Sequence, residues 1–169
     1  MSVNPELLEY PELVKVNLQP GAFNSGLLAV KHFKAGAIIA RLTGTTRTKK
    51  SWSTVQAGPE PDNHIELNSV LVYVNHSCSP NTAFDLSSSN KEEWNFRALR
   101  DIRPGDELTF FYPSTEWDMD QGFQCRCNAQ NCLGFVRGAK ELSREQIVER
   151  GFISTHISRL LDRRDTQHI

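Results

Sequence analysis

Three of the four cysteines of this chain, Cys125, Cys127 and Cys132, lie in one short run. The fourth, Cys78, lies far upstream in the segment NHSCSPN. Structural Zn²⁺ takes four tetrahedral thiolate or imidazole ligands, and the spacing C-x-C-x4-C is typical of metal binding. We therefore expect these four cysteines to hold one Zn²⁺ and to fix the C-terminal segment against the stretch around Asn75.

Two alternatives to this metal site remain at the level of the sequence. Two disulfides would need an oxidising compartment, but the N-terminus has neither the basic start nor the apolar stretch of a signal peptide. We therefore expect an intracellular location, cytoplasmic or nuclear. His76 is a rival fourth ligand, although its use in place of Cys78 would leave one cysteine over.

Length and charge limit the possible functions. A chain of 169 residues is expected to form one domain, or one domain with a small appendage. The net charge of −1 offers no basic surface for phosphate backbones, so direct nucleic-acid binding is not expected. No apolar run approaches the ~20 residues of a membrane span. The oligomeric state is left open.

The pattern of apolar residues predicts a body made mostly of strands. Alternating or short apolar runs bounded by turn residues are typical of strands. They occur at residues 13–18, 26–30, 37–42, 94–100 and 108–112, and residues 65–74 are again apolar and lead into Asn75. The sequence Arg103-Pro104-Gly105-Asp106 predicts a type II turn, and residues 87–93 predict a hairpin loop.

Two regions differ from this pattern. Residues 43–64 are rich in Thr, Ser, Lys, Gly and Pro, which predicts a loop or a poorly ordered insert. Its sizeable apolar residues, Trp52 and Val55, either pack over the core or face a ligand, and we expect them to pack over the core. The tail begins with the capping box Ser143-x-x-Gln146, which predicts a helix to about Arg150. Gly151 ends it, and Ser154 caps a second helix whose apolar face carries Ile157, Leu160 and Leu161.

The segments NHSCSPN, GDELTFFY and C-x-C-x4-C, in this order, resemble a SET domain, the fold of most protein-lysine methyltransferases. The resemblance covers roughly residues 13–137 and implies a SET-type β-clip fold, mainly β with short helices, made of small sheets and a post-SET zinc site. It implies a SET domain at residues 13–113 with a short insert at 43–64, followed by a post-SET zinc segment at 114–137. The two C-terminal helices predicted above complete the expected fold as a helical tail at 138–169.

The same resemblance implies a role for each matching position. The cofactor S-adenosylmethionine would be bound by Asn24, Ser25, Gly26, Leu27, Asn75, His76 and Tyr112. The substrate channel would be lined by Leu42, Tyr73, Phe110 and Phe111. Tyr112 is expected to be the catalytic residue, and Phe110 to set how many methyl groups the site admits. Asn24 replaces a glycine, and since Asn tolerates positive φ we expect it to preserve the turn.

The chemistry of methyl transfer is consistent with these residues. The attacking amine must be neutral, and burial lowers an amine pKa from its usual ~10.4, while aromatic walls stabilise cations. The expected activity is therefore S-adenosylmethionine-dependent N-methylation of a protein lysine or of a small-molecule amine. Leu42, Phe111 and the short insert depart from the family pattern. They favour the alternative, a SET fold repurposed as a non-methylating binding module or for small-molecule chemistry.

Overall fold

The computed structural model describes residues 2–167. The chain is built mainly from short strands with two α-helices near the C-terminus, which confirms the predicted fold class. The strands in chain order are β1 Val14–Asn17, β2 Gly26–Ala29, β3 Ile38–Arg41, β4 Thr46–Thr48, β5 Val55–Gln56, β6 His64–Glu66, β7 Asn75–His76, β8 Thr82–Asp85, β9 Asn95–Ala98, β10 Glu107–Phe110, β11 Phe123–Gln124 and β12 Phe135–Val136. The helices are α1 Arg144–Val148 and α2 Thr155–Thr166, and single 3₁₀ turns cover Val70–Tyr73, Lys91–Glu93, Tyr112–Ser114 and Ala139–Glu141.

The strands form three sheets. The main sheet has the order β1-β2-β10-β8-β9-β3, with β7 pairing β10 from outside this path. The second sheet has the order β4-β6-β5, and the third is the pair β11-β12. Because β7 runs parallel to β10, Asn75 lies opposite Thr109 and His76 lies opposite Phe110. The NHSCSPN segment is thereby placed beside the strand that leads to Tyr112.

The turn before β10 has the predicted geometry. Gly105 has a φ of +90°, and the Asp106 N–H donates to the Arg103 carbonyl at 3.1 Å. The third position of a type II turn requires positive φ, which glycine adopts without strain. The Asp106 carboxylate also accepts the Arg103 N–H at 2.9 Å. These contacts fix the direction in which β10 enters the sheet.

The insert at 43–64 is ordered, so the expectation of a loop is wrong. Together with residues 65–66 it forms the three-stranded sheet, in which Val55 and Ile65 are paired and buried. Inside it, the Thr54 hydroxyl lies 3.1 Å from His64 Nδ1. Trp52 does not pack over the core: it is 80% exposed. Its ring makes an edge contact with the exposed ring of Phe23 instead, with centroids 5.7 Å apart.

Two apolar cores stabilise the molecule. The first lies around the main sheet, where the Phe84 ring packs on Phe96 and on Phe110 with centroids 4.8 Å apart in each case. Each buried aromatic ring contributes ~1.5–3 kcal/mol of transfer free energy. The second core joins Cys78, Cys125 and Phe111 to apolar residues of α1 and α2. The cysteine segment and the tail are therefore packed as one unit.

The tail helices follow the predicted signals with small differences. The capping box is present at Ser143 and Gln146, but α1 ends at Val148, two residues earlier than expected. Gly151 follows with a φ of +96°. Ser154 occupies the N-cap position of α2 without a side-chain capping bond, and its backbone N–H donates to the Ser114 carbonyl at 3.1 Å. Within residues 2–167, no helix has the length and apolar composition needed to cross a bilayer.

Candidate active site and metal centre

The four cysteines lie together as the sequence predicts. Their sulfur atoms all lie within 4.8 Å of one another, and those of Cys78 and Cys125 are 3.9 Å apart. A tetrahedral zinc with bonds of ~2.3 Å separates its sulfur ligands by roughly 3.8 Å. Backbone N–H groups of Leu133 and Gly134 donate to sulfur atoms of this group at 3.4 Å. The four-cysteine group therefore fits Zn²⁺.

Burial makes two of the four thiols difficult to ionise without a cation, because it raises the pKa of Cys78 and that of Cys125 above their usual range. The pKa of Cys127 is instead lowered to about 6, because hydrogen bonds, that of the Ala129 backbone first, outweigh the effect of burial. A divalent cation offsets this cost, because a coordinated thiol is held as the thiolate. The protein therefore combines the ligand number and ligand chemistry of a structural zinc site.

His76 connects the cysteine group to Tyr112. Its Nδ1 accepts the backbone N–H of Tyr112 at 3.1 Å, and its Nε2 lies 3.4 Å from the Cys78 sulfur. Because Nδ1 is an acceptor, the ring proton lies on Nε2 and is directed at sulfur. Burial, and then the positive charge of Arg150, lowers the pKa of His76 to about 4. His76 is thus a neutral imidazole that orients both the sulfur ligand and the tyrosine backbone.

Tyr112 lies inside a group of aromatic rings. Its centroid is 4.7 Å from that of Phe110, 5.1 Å from that of His76 and 5.8 Å from that of Phe123. Its hydroxyl donates to the Val74 carbonyl at 3.5 Å. Burial, and then the nearby Glu116 carboxylate, raises the pKa of Tyr112 to about 12. The phenol is therefore protonated at neutral pH and acts as a hydrogen-bonding group, not as a base.

The two segments predicted to bind the cofactor meet at Glu107. The Asn75 amide donates to the Ser25 carbonyl at 2.8 Å and to the Glu107 carboxylate at 3.1 Å. A Cβ added at Gly26 would lie 2.6 Å from the Glu107 carboxylate. The Glu107 side chain is exposed and flexible and would shift to admit a Cβ, so glycine permits the present close contact without that shift.

Other residues of this loop are placed differently from expectation. The residues with positive φ in this loop are Gly21, at +94°, and Phe23, at +60°, so the idea that Asn24 supplies the unusual backbone angle is wrong. The Asn24 side chain instead donates to the Pro20 carbonyl at 2.7 Å. Leu27 is fully buried within β2, where it pairs with Val16 and Leu108.

A polar cavity of about 650 Å³ lies beside these segments. This volume is within the ~300–1,000 Å³ that is usual for small-molecule sites. Ser77 and Glu107 line one side, and Cys127 and residues 129–131 line the other. The cavity therefore lies between the NHSCSPN segment and the cysteine segment, with Glu107 shared between it and the Gly26 contact.

The four residues predicted for the substrate channel divide between the two cores. Leu42 and Phe110 are buried in the first core, and Tyr73 packs against it. Phe111 points into the second core instead, where the Arg150 guanidinium lies 4.8 Å from its ring centroid. The structure thus brings Phe110 beside Tyr112 and places Phe111 in a different environment.

Sequence reasoning missed three residues around Tyr112 and His76. Phe123 adds an aromatic wall, and Glu116 adds a carboxyl group one turn after Tyr112. Arg150 donates to the carbonyl of Asn131 at 2.6 Å and so holds the cysteine segment. Of these, only Glu116 had a usable signal, since its spacing of four from Tyr112 is a helical-turn spacing.

The chain is similar in sequence to known proteins. The SET domain family model matches residues 24–113. Methyltransferase flvH of Aspergillus flavus is 40% identical over 155 residues, which cover 90% of this chain and 83% of flvH. A histone-lysine N-methyltransferase of Emericella nidulans, H3 lysine-4 specific, is 39% identical over 66 residues, 38% of this chain and 5% of that protein.

A solved structure supports the fold. The crystal structure of KRYPTONITE in complex with mCHG DNA and SAH superposes with a TM-score of 0.53 at 21% identity, covering 72% of this chain and 28% of that one. The family model matches more than half of the chain, and the match to flvH extends over nearly all of it. The chain therefore belongs to the SET-domain family of methyltransferases, for which S-adenosylmethionine is the methyl donor.

Proposed function

We propose that this protein transfers a methyl group from S-adenosylmethionine to the nitrogen of an amine, with Tyr112 as the catalytic residue. The observation that carries the proposal is the position of Tyr112. A neutral phenol lies among Phe110, His76 and Phe123, and His76 holds its backbone. Such rings stabilise a cationic sulfonium and a cationic product.

The cofactor is proposed to bind between the Gly26 loop and the Asn75–His76 peptide. Backbone groups of residues 24–27 and the side chain of Asn75 would hold its amino-acid end, and the cavity beside Glu107 would take the adenosyl part. The proposal is supported by the close approach of the two segments at Gly26, where an added Cβ would lie 2.6 Å from the Glu107 carboxylate. When bound, S-adenosylmethionine supplies a methyl group activated on a sulfonium.

The protein's own residues then orient the amine. The Tyr112 hydroxyl can direct the nitrogen lone pair towards the methyl group, and such positioning can supply several kcal/mol of the barrier reduction, up to ~7–11 kcal/mol in the best cases. Leu42, Tyr73 and Phe110 are proposed to line the amine's path. Burial along this path lowers the pKa of the amine and favours the neutral form that attacks.

The substrate is proposed to be a lysine side chain of a protein. This proposal draws on relatives that are named histone-lysine N-methyltransferases, of which the chain covers a small part. A small-molecule amine is the second candidate. It is favoured by direct contacts between the insert and the segment after Tyr112: the Gln56 N–H donates to the Glu116 carboxylate at 3.0 Å, and the Trp117 N–H donates to the Gln56 side chain at 2.9 Å. These contacts occupy a strand edge with which an extended peptide would pair.

The domain boundaries remain part of the proposal. Residues 13–113 would form the SET domain with its insert, residues 114–137 the zinc segment, and residues 138–169 the tail. An intracellular location, cytoplasmic or nuclear, is proposed because all four cysteines belong to one metal-competent group and none is in a disulfide. No direct contact with nucleic acid is proposed.

Calorimetric titration with S-adenosylmethionine, followed by a tritium-methyl assay on histones, cell-extract proteins and simple amines, tests the function. Tyr112→Phe keeps the ring and removes the hydroxyl. We expect it to lower turnover about tenfold or more, corresponding to ~1.4 kcal/mol, with little change in the melting temperature. Absence of cofactor binding by the wild-type protein at millimolar concentration would refute the methyltransferase proposal. Full turnover by Tyr112→Phe would refute the role of Tyr112.

A further inference from the structure

Glu116 lies on the same side of the chain as Tyr112. The Glu116 N–H donates to the Tyr112 carbonyl at 2.9 Å, which closes an α-type turn directly after β10. Side chains four residues apart on such a turn are neighbours, with Cβ atoms ~5–6 Å apart. The Glu116 carboxyl group is therefore expected beside the Tyr112 ring, and consistent with this its charge contributes to the raised pKa of Tyr112.

The carboxyl group of Glu116 has no cationic partner. It accepts only the Gln56 N–H, at 3.0 and 3.3 Å from its two oxygens, and no Lys or Arg in the described part of the chain pairs with it. Lys50 is close, but its ammonium group donates to the Asp118 carbonyl and to the Asp120 carboxylate. A carboxylate has about four acceptor positions, so most of the capacity of Glu116 is unused.

We propose that Glu116 is the counter-charge for the substrate: its carboxylate pairs with the incoming ammonium group beside Tyr112 and accepts its proton. An N–H bond of the ammonium breaks, the proton moves to a carboxylate oxygen, and the lone pair stays on nitrogen. That lone pair then forms the bond to the methyl carbon while the electrons of the C–S bond remain on sulfur. The inference rests on the proposed function and specifies the substrate as a cationic amine.

The ionisation behaviour of Glu116 supports this role. Burial raises its pKa to about 8, against the smaller lowering effects of the Gln56 N–H and of Lys50. A carboxyl group with a pKa near the working pH is well matched to accepting a proton. Because it is otherwise unpaired, an ammonium group arriving beside it lowers the cost of its ionisation.

Several other ionisable groups lie on the elements around Glu116. Lys50 approaches from the insert, and Asp118 and Asp120 follow Glu116 in the chain. His64 lies opposite Gln56 in the β5–β6 ladder, and His156 of α2 bonds to the Thr115 carbonyl at 2.7 Å. Burial lowers the pKa of both histidines, so neither adds a titrating cation near pH 8.

The test compares wild-type protein with Glu116→Gln and Glu116→Asp. Gln keeps the size and the acceptor for the Gln56 N–H, so the fold is expected to be retained. The matched control is Glu12→Gln, which removes one charge at an exposed position.

The probes are n-butylamine, L-lysine and a lysine-containing histone H3 tail peptide, with n-butanol as the uncharged analogue. Cofactor affinity and amine affinity are measured calorimetrically, the latter with S-adenosylhomocysteine present, and methyl transfer is followed from pH 6.5 to 9.5.

We expect Glu116→Gln to bind S-adenosylmethionine within about twofold of wild type and to lose roughly tenfold or more in affinity and in kcat/KM for the amines. The rise of activity through pH 8 that we expect for the wild type should be absent in Glu116→Gln. Wild type and Glu116→Gln should have the same affinity for n-butanol. Glu116→Asp should recover part of the loss.

Equal amine affinity in wild type and Glu116→Gln, or no amine binding by wild type, would overturn the role of Glu116. Failure of S-adenosylmethionine to bind would instead overturn the proposed function. These two failures are distinguishable because cofactor affinity and amine affinity are separate measurements.

Discussion

At the scale of single residues, one imidazole links Tyr112, the proposed catalytic residue, to the cysteine group. His76 accepts the Tyr112 N–H on one side and is directed at the Cys78 sulfur on the other. A group that ligates a metal is commonly oriented by such outer partners, and their loss typically changes affinity or activity 10–100-fold. The position of the Tyr112 backbone therefore depends on His76, the same side chain that contacts the four-cysteine group.

Phe110 provides the residue-scale prediction. Its buried ring lies between Phe84 and Tyr112, with centroids 4.8 and 4.7 Å away. Phe110→Tyr adds a hydroxyl that can hold a water where a second methyl group must sit, so products should shift towards the monomethylated form by about tenfold. Mass spectrometry of the methylated amine measures this ratio. The control is Phe33→Tyr, which adds the same hydroxyl to a buried ring at the isolated Phe33–Ile102 bridge. An unchanged ratio in Phe110→Tyr would remove Phe110 from the channel.

At the scale of elements, the insert is tied to the segment after β10 by polar contacts. Gln56 of β5 bonds to both Glu116 and Trp117, and Lys50 bonds to Asp118 and Asp120. The exposed Trp52 of the insert also touches Phe23 of the loop before β2. The insert thus contacts both the proposed cofactor loop and the proposed amine site, although its strands are only two or three residues long.

The burial of Glu116 beside β5 predicts a pH dependence of stability. The pKa of Glu116 is about 8 in the folded protein and about 4.5 in the unfolded chain. Between these values the folded protein binds more protons than the unfolded chain, so this group's contribution to stability falls as pH rises and levels off above 8. Glu116→Gln should remove this contribution. The difference in the free energy of unfolding, variant minus wild type, should therefore increase by roughly 1–3 kcal/mol as the pH rises from 5 to 8. Chemical denaturation at several pH values measures the difference, which Glu12→Gln should not show. A pH-independent difference would mean that Glu116 is already solvated.

At the scale of the whole molecule, local sequence signals predicted much of the structure. Contacts between residues far apart in the sequence were not predicted. The Gly105 turn, the capping box at Ser143 and the cysteine group follow from short patterns with direct physical causes. The insert sheet was missed because its short strands show no periodicity and are stabilised by pairing. The stacking of Arg150 on Phe111 joins residues far apart in sequence, which no local pattern reveals.

The second core predicts how the molecule depends on metal. It consists of the cysteine group, Phe111 and the apolar faces of the tail helices, and most of its members come from separate short segments. Zinc bound to such a set contributes ~10 kcal/mol or more of apparent binding free energy, which is also folding free energy. The first core has its own sheet and aromatic cluster, and it does not include the cysteines. Loss of metal should therefore unfold the region from about residue 114 onward before the main sheet.

Metal analysis should find about one zinc per chain, and a strong chelator should lower the melting temperature and release the tail to proteolysis. Readdition of Zn²⁺ should restore both properties, whereas Mg²⁺ should not, because thiolates bind it weakly. Cys78→Ser should reproduce the effect of the chelator, since it removes the ligand that joins the NHSCSPN segment to the cysteine run. Through His76, it should also weaken the support of Tyr112. A metal-free protein that keeps its full melting temperature and a protected tail would show that packing alone, and not zinc, stabilises the second core.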